Sequence, residues 1–230
     1  MITDYTEFCE QIKNCKSCRL EQTRNNAVCG EGIIPTKLMF IAQAPGRTED
    51  KKGKMFIGPS GKIFDQLLCS IGLNRNEIYL TNLLKCFLPK CRKPRHDEMN
   101  ICYNNFLKHE IGIVKPEIII TLGFHVTRYI FEAYNLPIPN KFEIKNMFGK
   151  IFFAKNQKIL PLKHPATIVH KSKSFDNLKQ DYQILKTLLN PCPKLKECKI
   201  PKQYKKGLLT EDYIEQFCYG IWEKCKYYDF

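Results

Sequence analysis

The sequence predicts an α/β fold with three layers, α/β/α, around a mainly parallel central sheet of four strands, followed by a C-terminal helical extension. Four short apolar runs rich in β-branched residues are separated by segments whose apolar residues recur at helical spacing. This alternation is typical of a parallel sheet covered by helices on both faces. With 230 residues, 43% of them hydrophobic, the chain is long enough to bury one substantial core.

The first predicted strand, KLMFIAQ (37–43), ends directly in a Pro-Gly turn. A lysine-rich loop and several glycines then lead into a predicted helix. Its apolar face consists of Ile63, Phe64, Leu67, Leu68 and Ile71.

Three further strands are predicted along the chain. They are EIYLTNLL (77–84), PEIIITLG (116–123) and KILPLKH (158–164). Helices should follow each of them. After the second strand, the helix is indicated by the spacing of Met99, Cys102, Phe106 and Ile113. After the third it is the run HVTRYIFEAY (125–134), and after the fourth the run SFDNLKQDYQILKTLL (174–189), with Ser174 as N-cap. Ligands of parallel sheets bind at the carboxyl ends of strands, so QAPG, TNLLKC, TLG and KHP should meet at one cleft.

From Asn190 the chain becomes rich in Pro and Lys and loses its regular period. A last amphipathic helix is predicted between Thr210 and Tyr228, and it carries the only tryptophan, Trp222. The sequence therefore divides into a domain of residues 1–189 and a basic arm with a C-terminal helix, residues 190–230. That helix either packs on its own domain or binds a protein partner.

The charge of the chain favours a polyanionic partner. The formal net charge is +14, and residues 141–210 hold 16 Lys or Arg against four acidic residues. Such a balance is typical of nucleic-acid binding, although a lysine-rich solvated surface has the same composition. The first residues show no secretory signal pattern, and no apolar run approaches the ~18 residues of a membrane span. We expect a soluble, intracellular monomer.

Twelve cysteines in such a chain are expected to be reduced thiols or metal ligands rather than a disulfide framework. Cys15 and Cys18 form a C-x2-C pair, Cys86 closes TNLLKC, and Cys102 lies in the next predicted helix. Four thiolates suit either zinc or an iron-sulfur cluster, and their spacing does not choose between the two. Cysteines scattered through a core are the alternative.

Several motifs together resemble the family 4 uracil-DNA glycosylases, the iron-sulfur branch of the uracil-DNA glycosylase superfamily. They are AQAPGRTEDKKGKMFIGPSGKIFDQLL (42–68), YLTNLLKC (79–86), IIITLG (118–123) and LKHPA (162–166). The resemblance covers about residues 8–189. It implies an enzyme that flips deoxyuridine out of single- or double-stranded DNA and hydrolyses the N-glycosidic bond, leaving an abasic site. It also implies a [4Fe-4S] cluster held by Cys15, Cys18, Cys86 and Cys102.

The resemblance assigns a role to each residue of the predicted cleft. Phe56 would stack on uracil, and the amide of Asn82 would pair with both the N3 donor and the O4 acceptor of the base. His164 would bind uracil and stabilise the departing anion. Contacts with DNA are implied for Pro45, Gly46, Ser60, Arg95 and Lys171.

The first motif departs from the family pattern. Family 4 sequences usually read Gly-Glu-Ala-Pro-Gly, whereas this chain has Ala42 and Gln43 in place of the Gly and Glu. Gln43 can bind uracil and orient a water molecule, but an amide cannot accept a proton from it. Glu49 is therefore predicted to be the remaining acidic participant. Gln43 leaves two hypotheses: an active glycosylase, or a weakened or inactive DNA-binding protein associated with replication.

Overall fold

The computed structural model describes residues 5–154, 157–169 and 175–189, together with Cys198. The helices are α1 (Tyr5–Lys13), α2 (Arg47–Lys52), α3 (Pro59–Ser70), α4 (His96–Cys102), α5 (Lys108–Val114), α6 (Phe124–Ala133) and α7 (Phe175–Leu189). The strands are β1 (Glu31–Gly32), β2 (Leu38–Ala42), β3 (Tyr79–Asn82), β4 (Ile118–Leu122), β5 (Phe152–Ala154) and β6 (Gln157–Leu162). The predicted α/β fold is confirmed.

The strands form one mixed sheet of six strands in the order β1-β3-β2-β4-β6-β5. The four predicted strands are its parallel centre, in which Phe40 lies opposite Leu80 on one side and Ile120 on the other. The two additional strands, β1 and β5, pair antiparallel at the edges. They have only two and three residues, so neither contains enough residues to show a strand period.

Helices cover both faces of the sheet and complete the three layers. Along β2, Leu38, Phe40 and Ala42 pack with α3 and α7, whereas Met39 and Ile41 pack with α5 and α6. This alternation follows from the two-residue period of a strand. All five predicted apolar residues of α3 lie in or against the first of these cores.

The predicted helix after β3 is a continuous helical segment with a π-helical turn, Tyr103–Leu107, between α4 and α5. Its four predicted apolar residues all contribute to a third core that also contains Phe8 and Leu20. The π turn begins directly after Cys102, and such turns occur frequently at functional sites. This third core therefore joins the N-terminal segment to the unit formed by β3 and α4.

Some expectations differ from the structure or fall outside it. Cys9 and Cys29 form a disulfide that joins α1 to the segment before β1, so the expectation of reduced thiols fails for this pair. Ser174, Lys171 and the predicted C-terminal helix lie outside the described residues. In the described part of the chain, no helix is both long enough and apolar enough to cross a membrane.

Candidate active site and cysteine cavity

A cleft of about 380 Å³ opens at the carboxyl ends of the parallel strands. Its lining includes all five residues predicted for uracil binding or catalysis, namely Gln43, Glu49, Phe56, Asn82 and His164. Pro45, Gly46 and Ser60, three of the predicted DNA contacts, line it as well. Three of the four strand-end segments predicted to meet here, QAPG, TNLLKC and KHP, contribute residues to the lining, as the topology of a parallel sheet requires, whereas TLG contributes none.

The turn after β2 fixes the position of Gln43. The backbone carbonyls of Ala42 and Gln43 accept hydrogen bonds from the N–H groups of Leu83 (2.8 Å) and Leu84 (3.0 Å), which extends the pairing with β3 past the strand end. The Gln43 side chain forms no hydrogen bond with the described part of the chain. Its amide is therefore available to a ligand or a water molecule.

Glu49 is a buried carboxylate in the first turn of α2, only 8% exposed. Its Oε1 accepts a hydrogen bond from the backbone N–H of Gly58 (2.8 Å), and no ion pair reaches it from the described ranges. A Cβ at Gly46 would lie 2.5 Å from Glu49 Oε2, so glycine at this position allows the close approach of the carboxylate. A buried carboxyl group that lines a cleft without an ion pair is a candidate functional group.

The neighbouring carboxylate, Asp50, has a structural role. It is 2% exposed and accepts hydrogen bonds from the backbone N–H groups of Asn25 (2.9 Å) and Asn26 (3.3 Å). It therefore fastens the segment before β1 to α2. The two adjacent acidic residues face different parts of the molecule, and only Glu49 lines the cleft.

Phe56 is held in a backbone conformation that phenylalanine rarely adopts, with φ at 50°. Its ring packs against Phe64, with centroids 5.0 Å apart, and against His164 at 5.8 Å. Its carbonyl carbon and oxygen approach α3 so closely that a Cβ at Gly61 would lie 1.8 Å from the oxygen. The strained residue and the glycine together place an aromatic face at the cleft wall.

Asn82, the last residue of β3, is 2% exposed and lines the cleft. Its Nδ2 donates a hydrogen bond to the sulfur of Met55 (3.2 Å), while its Oδ1 is buried without a hydrogen-bond partner in the described structure. A buried acceptor without a partner costs about 1–3 kcal/mol. A ligand that donates a hydrogen bond at this point would recover that energy.

The surroundings of His164 determine both its charge and its tautomer. Burial lowers the pKa of the imidazole to about 4, so the ring is neutral at neutral pH. Its Nδ1 accepts a hydrogen bond from the backbone N–H of Ala166 (3.0 Å), which places the single ring proton on Nε2. The residue therefore presents an uncharged N–H donor.

Two basic residues line the cleft. Arg47 and Arg92 line it, and both Nη atoms of Arg92 are fixed by the carboxylate of Glu98, at 2.9 and 2.5 Å. Arg95 is exposed and lies outside the cleft lining. Arg92 and Arg95 both lie in the segment between Cys86 and α4, and only the path of that segment shows which of the two reaches the cleft.

A second cavity lies beside the cleft and is lined by Cys15, Cys18, Cys86 and Cys102, all with free thiols. Three of these sulfurs accept hydrogen bonds. The donors are Ser17 N to Cys15 (3.5 Å), Arg24 Nη1 to Cys86 (3.1 Å) and Lys85 N to Cys102 (3.3 Å). Arg24, which sequence reasoning missed, also donates to the carbonyl of Cys15 (2.7 Å) and so joins the two halves of the cavity.

Four free thiols around one cavity are a donor set that suits zinc or an iron-sulfur cluster, and hydrogen bonds to the sulfurs are among the factors that tune iron-sulfur sites. Among the residues that the structure describes, no three His, Cys or acidic groups are placed to hold one metal ion. Burial raises the pKa of Cys86 and raises that of Cys102 to about 12, so binding would release protons from these thiols.

Comparison with known proteins agrees with this geometry. Residues 29–186 match the model of the uracil DNA glycosylase superfamily. The type-4 uracil-DNA glycosylase of Sulfurisphaera tokodaii is 36% identical over 184 residues, which are 78% of this chain and 82% of that protein. The type-4 enzyme of Saccharolobus solfataricus is 36% identical over 80% of this chain and 86% of its own length. That of Archaeoglobus fulgidus is 31% identical, over 77% and 89% respectively. The chain belongs to the uracil-DNA glycosylase superfamily, in its type-4 branch.

Proposed function

We propose that this protein is a uracil-DNA N-glycosylase that hydrolyses the bond between uracil and deoxyribose and leaves an abasic site in DNA. The observation that carries the proposal is the buried Asn82 Oδ1, which has no partner in the described structure and lines the cleft. Family membership supports the same reaction, because the relatives are named as uracil-DNA glycosylases.

The amide of Asn82 selects the base through two complementary hydrogen bonds. Its Oδ1 would accept the N3–H of uracil, and its Nδ2 would donate to O4. Cytosine presents an acceptor at N3 and a donor at N4, so it would leave the amide mispaired in a buried position. Because a site built around such groups rejects analogues that leave them unpaired, discrimination against cytosine should be large.

The aromatic wall restricts how the flipped base lies. The rings of Phe56 and His164 are 5.8 Å apart. A base between two rings would need about 7 Å, twice the stacking distance of DNA. Uracil would therefore stack on one face of Phe56 and meet His164 through its edge, where the Nε2–H donates to a uracil oxygen. A neutral donor can stabilise the anionic leaving group through this hydrogen bond as the glycosidic bond breaks.

The two side chains at the sugar end have different capacities. The Gln43 amide would orient the attacking water, and the Glu49 carboxylate would accept its proton and stabilise positive charge on the sugar. The leaving of uracil creates an oxocarbenium-like sugar, so a nearby negative charge acts on the step that breaks the bond. Glu49 therefore compensates for the carboxylate that Gln43 replaces.

We also propose that Cys15, Cys18, Cys86 and Cys102 hold a [4Fe-4S] cluster. The cluster would cross-link the N-terminal segment to the unit of β3 and α4. The four lining thiols and their N–H donors support this assignment. An absorption band near ~400 nm, with matching iron and sulfide content, is expected of the purified protein. A colourless protein that contains zinc would contradict it.

The reaction is tested with single-stranded and duplex oligonucleotides that contain one uracil, followed by alkaline cleavage at abasic sites. The expected product appears with uracil and not with cytosine at the same position. Asn82→Ala should abolish most of the activity while the cluster absorption stays intact. No product at stoichiometric protein with an intact metal centre would reject the proposal.

A second candidate function rests on Gln43 alone. In this case the chain binds DNA but hydrolyses the N-glycosidic bond slowly or not at all. The reason would be the loss of a general base at position 43, which typically contributes about 10²- to 10⁴-fold to the rate. Gln43→Glu distinguishes the two functions. Activity that appears only in this variant, together with DNA binding by the unchanged protein, would favour the second function.

A further inference from the structure

The loop between α6 and β5 ends at the edge of the sheet where the cleft opens. The backbone N–H of Gly149 donates to the carbonyl of Pro161 (2.9 Å), near the end of β6. That strand ends at Leu162, two residues before His164, which lines the cleft. We call residues 138–150 the α6–β5 loop. The last residues of this loop therefore lie at the edge of the sheet where the cleft opens.

This loop exposes an aromatic ring to solvent. Phe142 is 81% exposed and Ile138 is 46% exposed. Within the described ranges, one other large hydrophobic side chain is exposed, that of Ile33. Ile33 follows β1, whose Gly32 pairs with Tyr79 at the amino end of β3. It therefore lies at the opposite edge of the sheet and provides a matched control.

The backbone that carries Phe142 is held by its own hydrogen bonds. Asn140 Oδ1 accepts from the N–H groups of Phe142 (2.8 Å) and Glu143 (3.0 Å), and Glu143 Oε2 accepts from the N–H of Asn140 (2.9 Å). Ile144, only 3% exposed, anchors the turn in the protein. The exposed ring is thus presented by a fixed turn, and its ordering entropy is already spent before a ligand binds.

The charge around the ring is positive. Lys141, Lys145 and Lys150 are exposed and outnumber the one acidic residue among them, Glu143, whose Oε2 accepts the hydrogen bond from the Asn140 N–H. An aromatic ring flanked by lysines is the composition of surfaces that bind single-stranded nucleic acid, in which bases stack and phosphates meet cations. Duplex DNA offers no such base face, since its bases are stacked on both sides.

We propose that the α6–β5 loop is a binding site for single-stranded DNA outside the cleft, with Phe142 stacked on an unpaired base and Lys141 and Lys145 in contact with phosphates. Phe142 is seven residues from Gly149, and a chain of that length spans at most about 25 Å. The base that it contacts therefore lies a few nucleotides from the flipped uracil. The loop would favour uracil in unpaired strands over uracil in duplex.

The test measures the affinity of the full-length protein for thymine oligonucleotides by fluorescence anisotropy, with a single strand and a duplex of equal length. Phe142→Ala should weaken binding of the single strand about tenfold, the usual contribution of one stacked base. Duplex affinity should change by less than about twofold. Phe142→Trp should bind as the unchanged protein does, Phe142→Leu should lose as much as Phe142→Ala, and Ile33→Ala should lose nothing.

The charged part of the site has its own readout. Removing both lysines, in Lys141→Ala/Lys145→Ala, should lower the slope of log affinity against log salt for the single strand by about 1.4, because each phosphate contact contributes about 0.7. An unchanged slope would overturn the assignment of these two lysines. Single-strand binding by Phe142→Ala equal to that of the unchanged protein would overturn the whole proposal, and a protein partner would then be the better occupant of the loop.

The result is independent of hydrolysis. A uracil oligonucleotide with flanks too short to reach the loop, about two nucleotides on each side, should be cleaved at the same rate by Phe142→Ala and by the unchanged protein. With flanks of about ten nucleotides, only the unchanged protein should gain efficiency. No cleavage by either protein would reject the glycosylase function and leave the binding measurements valid. Equal gains by both would reject the loop site.

Discussion

Replacing Glu49 by Gln removes one negative charge from the cleft and preserves the shape of the side chain. The carboxylate is 8% exposed, accepts one hydrogen bond from Gly58 N–H, and has no ion pair within the described ranges. A glutamine oxygen can accept the same hydrogen bond. The bond to Gly58 should weaken by about 1 kcal/mol, the difference between charged and neutral acceptors. Removal of a desolvated charge offsets this loss, so the free energy of unfolding should change by less than about 1 kcal/mol.

The expected effect on catalysis is much larger. If Glu49 accepts the proton of the attacking water, the rate of the chemical step should fall by about 10²- to 10⁴-fold. The measurement is a single-turnover rate on a uracil oligonucleotide, with protein in excess and alkaline cleavage of the product. Thermal unfolding of the same sample shows whether the fold is intact.

Asp50→Asn is the matched control, because it removes an adjacent buried carboxylate that faces away from the cleft. Its charge-assisted hydrogen bonds from Asn25 and Asn26 would weaken, with a loss of stability of about 2–3 kcal/mol. Its single-turnover rate should stay within about threefold of that of the unchanged protein. A folded Glu49→Gln protein that cleaves as fast as the Asp50→Asn protein would refute the assignment of Glu49.

Three further changes test separate parts of the site. If Glu49 supplies the base, as we propose, Gln43→Glu should raise the single-turnover rate by no more than about tenfold. A larger gain would contradict that role of Glu49. Nitrogen NMR should show the neutral Nε2–H tautomer of His164 at every pH from about 5 to 8, and a doubly protonated ring in that range would contradict the structure. The pKa of His164, about 4, lies below its ordinary value, so on acidification this histidine is protonated in the unfolded chain before it is protonated in the folded protein. The contribution of His164 to the free energy of unfolding should therefore be constant above about pH 6.5 and decrease toward pH 4. The free energy of unfolding of His164→Gln should fall less steeply over the same range. Glu110→Ala should lower the free energy of unfolding, measured in urea, by about 3–5 kcal/mol because it leaves the buried Lys85 without its ion-pair partner. The double change Lys85→Met/Glu110→Leu removes both charges and should recover most of that loss.

The sequence was sufficient to predict the four parallel strands at the centre of the sheet. Each of its strands contains a run of four or five buried residues between turn signals, and a helix of clear period follows it. The edge strands β1 and β5 were not predictable, because two or three residues become a strand only through the neighbour with which they pair. The pairing of Cys9 with Cys29 likewise depends on how α1 folds back onto the segment before β1.

The candidate site could be predicted where function coincides with strand ends. Gln43, Asn82 and His164 each follow or end a parallel strand, so topology alone brings them to one edge. The basic residues were harder, because they depend on the path of a loop. Lys90 and Cys91 both have positive φ, at 55° and 51°, directly before Arg92, which lines the cleft. No pattern in the sequence indicates two consecutive non-glycine residues in that conformation.

The base pocket and the cysteine cavity share one short segment of chain. Asn82 ends β3 and lines the cleft, while Cys86, four residues later, lines the cysteine cavity. Between them, Lys85 donates its backbone N–H to Cys102 Sγ (3.3 Å), and its Nζ is buried against Thr81 (2.6 Å) and Glu110 (2.5 Å). Lys85 therefore ties the end of β3 to both the cavity and the helix α5.

Loss of the proposed metal centre should act on the pocket through this segment. Cys86→Ser should weaken binding of uracil, because the Asn82 amide loses its support, whereas the His164 tautomer should be unchanged, since that residue follows β6 and receives its hydrogen bond from Ala166. Equilibrium binding of free uracil and nitrogen NMR of the same sample measure the two effects. If Cys86→Ser binds uracil normally, the two sites are independent. If the tautomer changes as well, the cluster supports the whole domain rather than the end of β3.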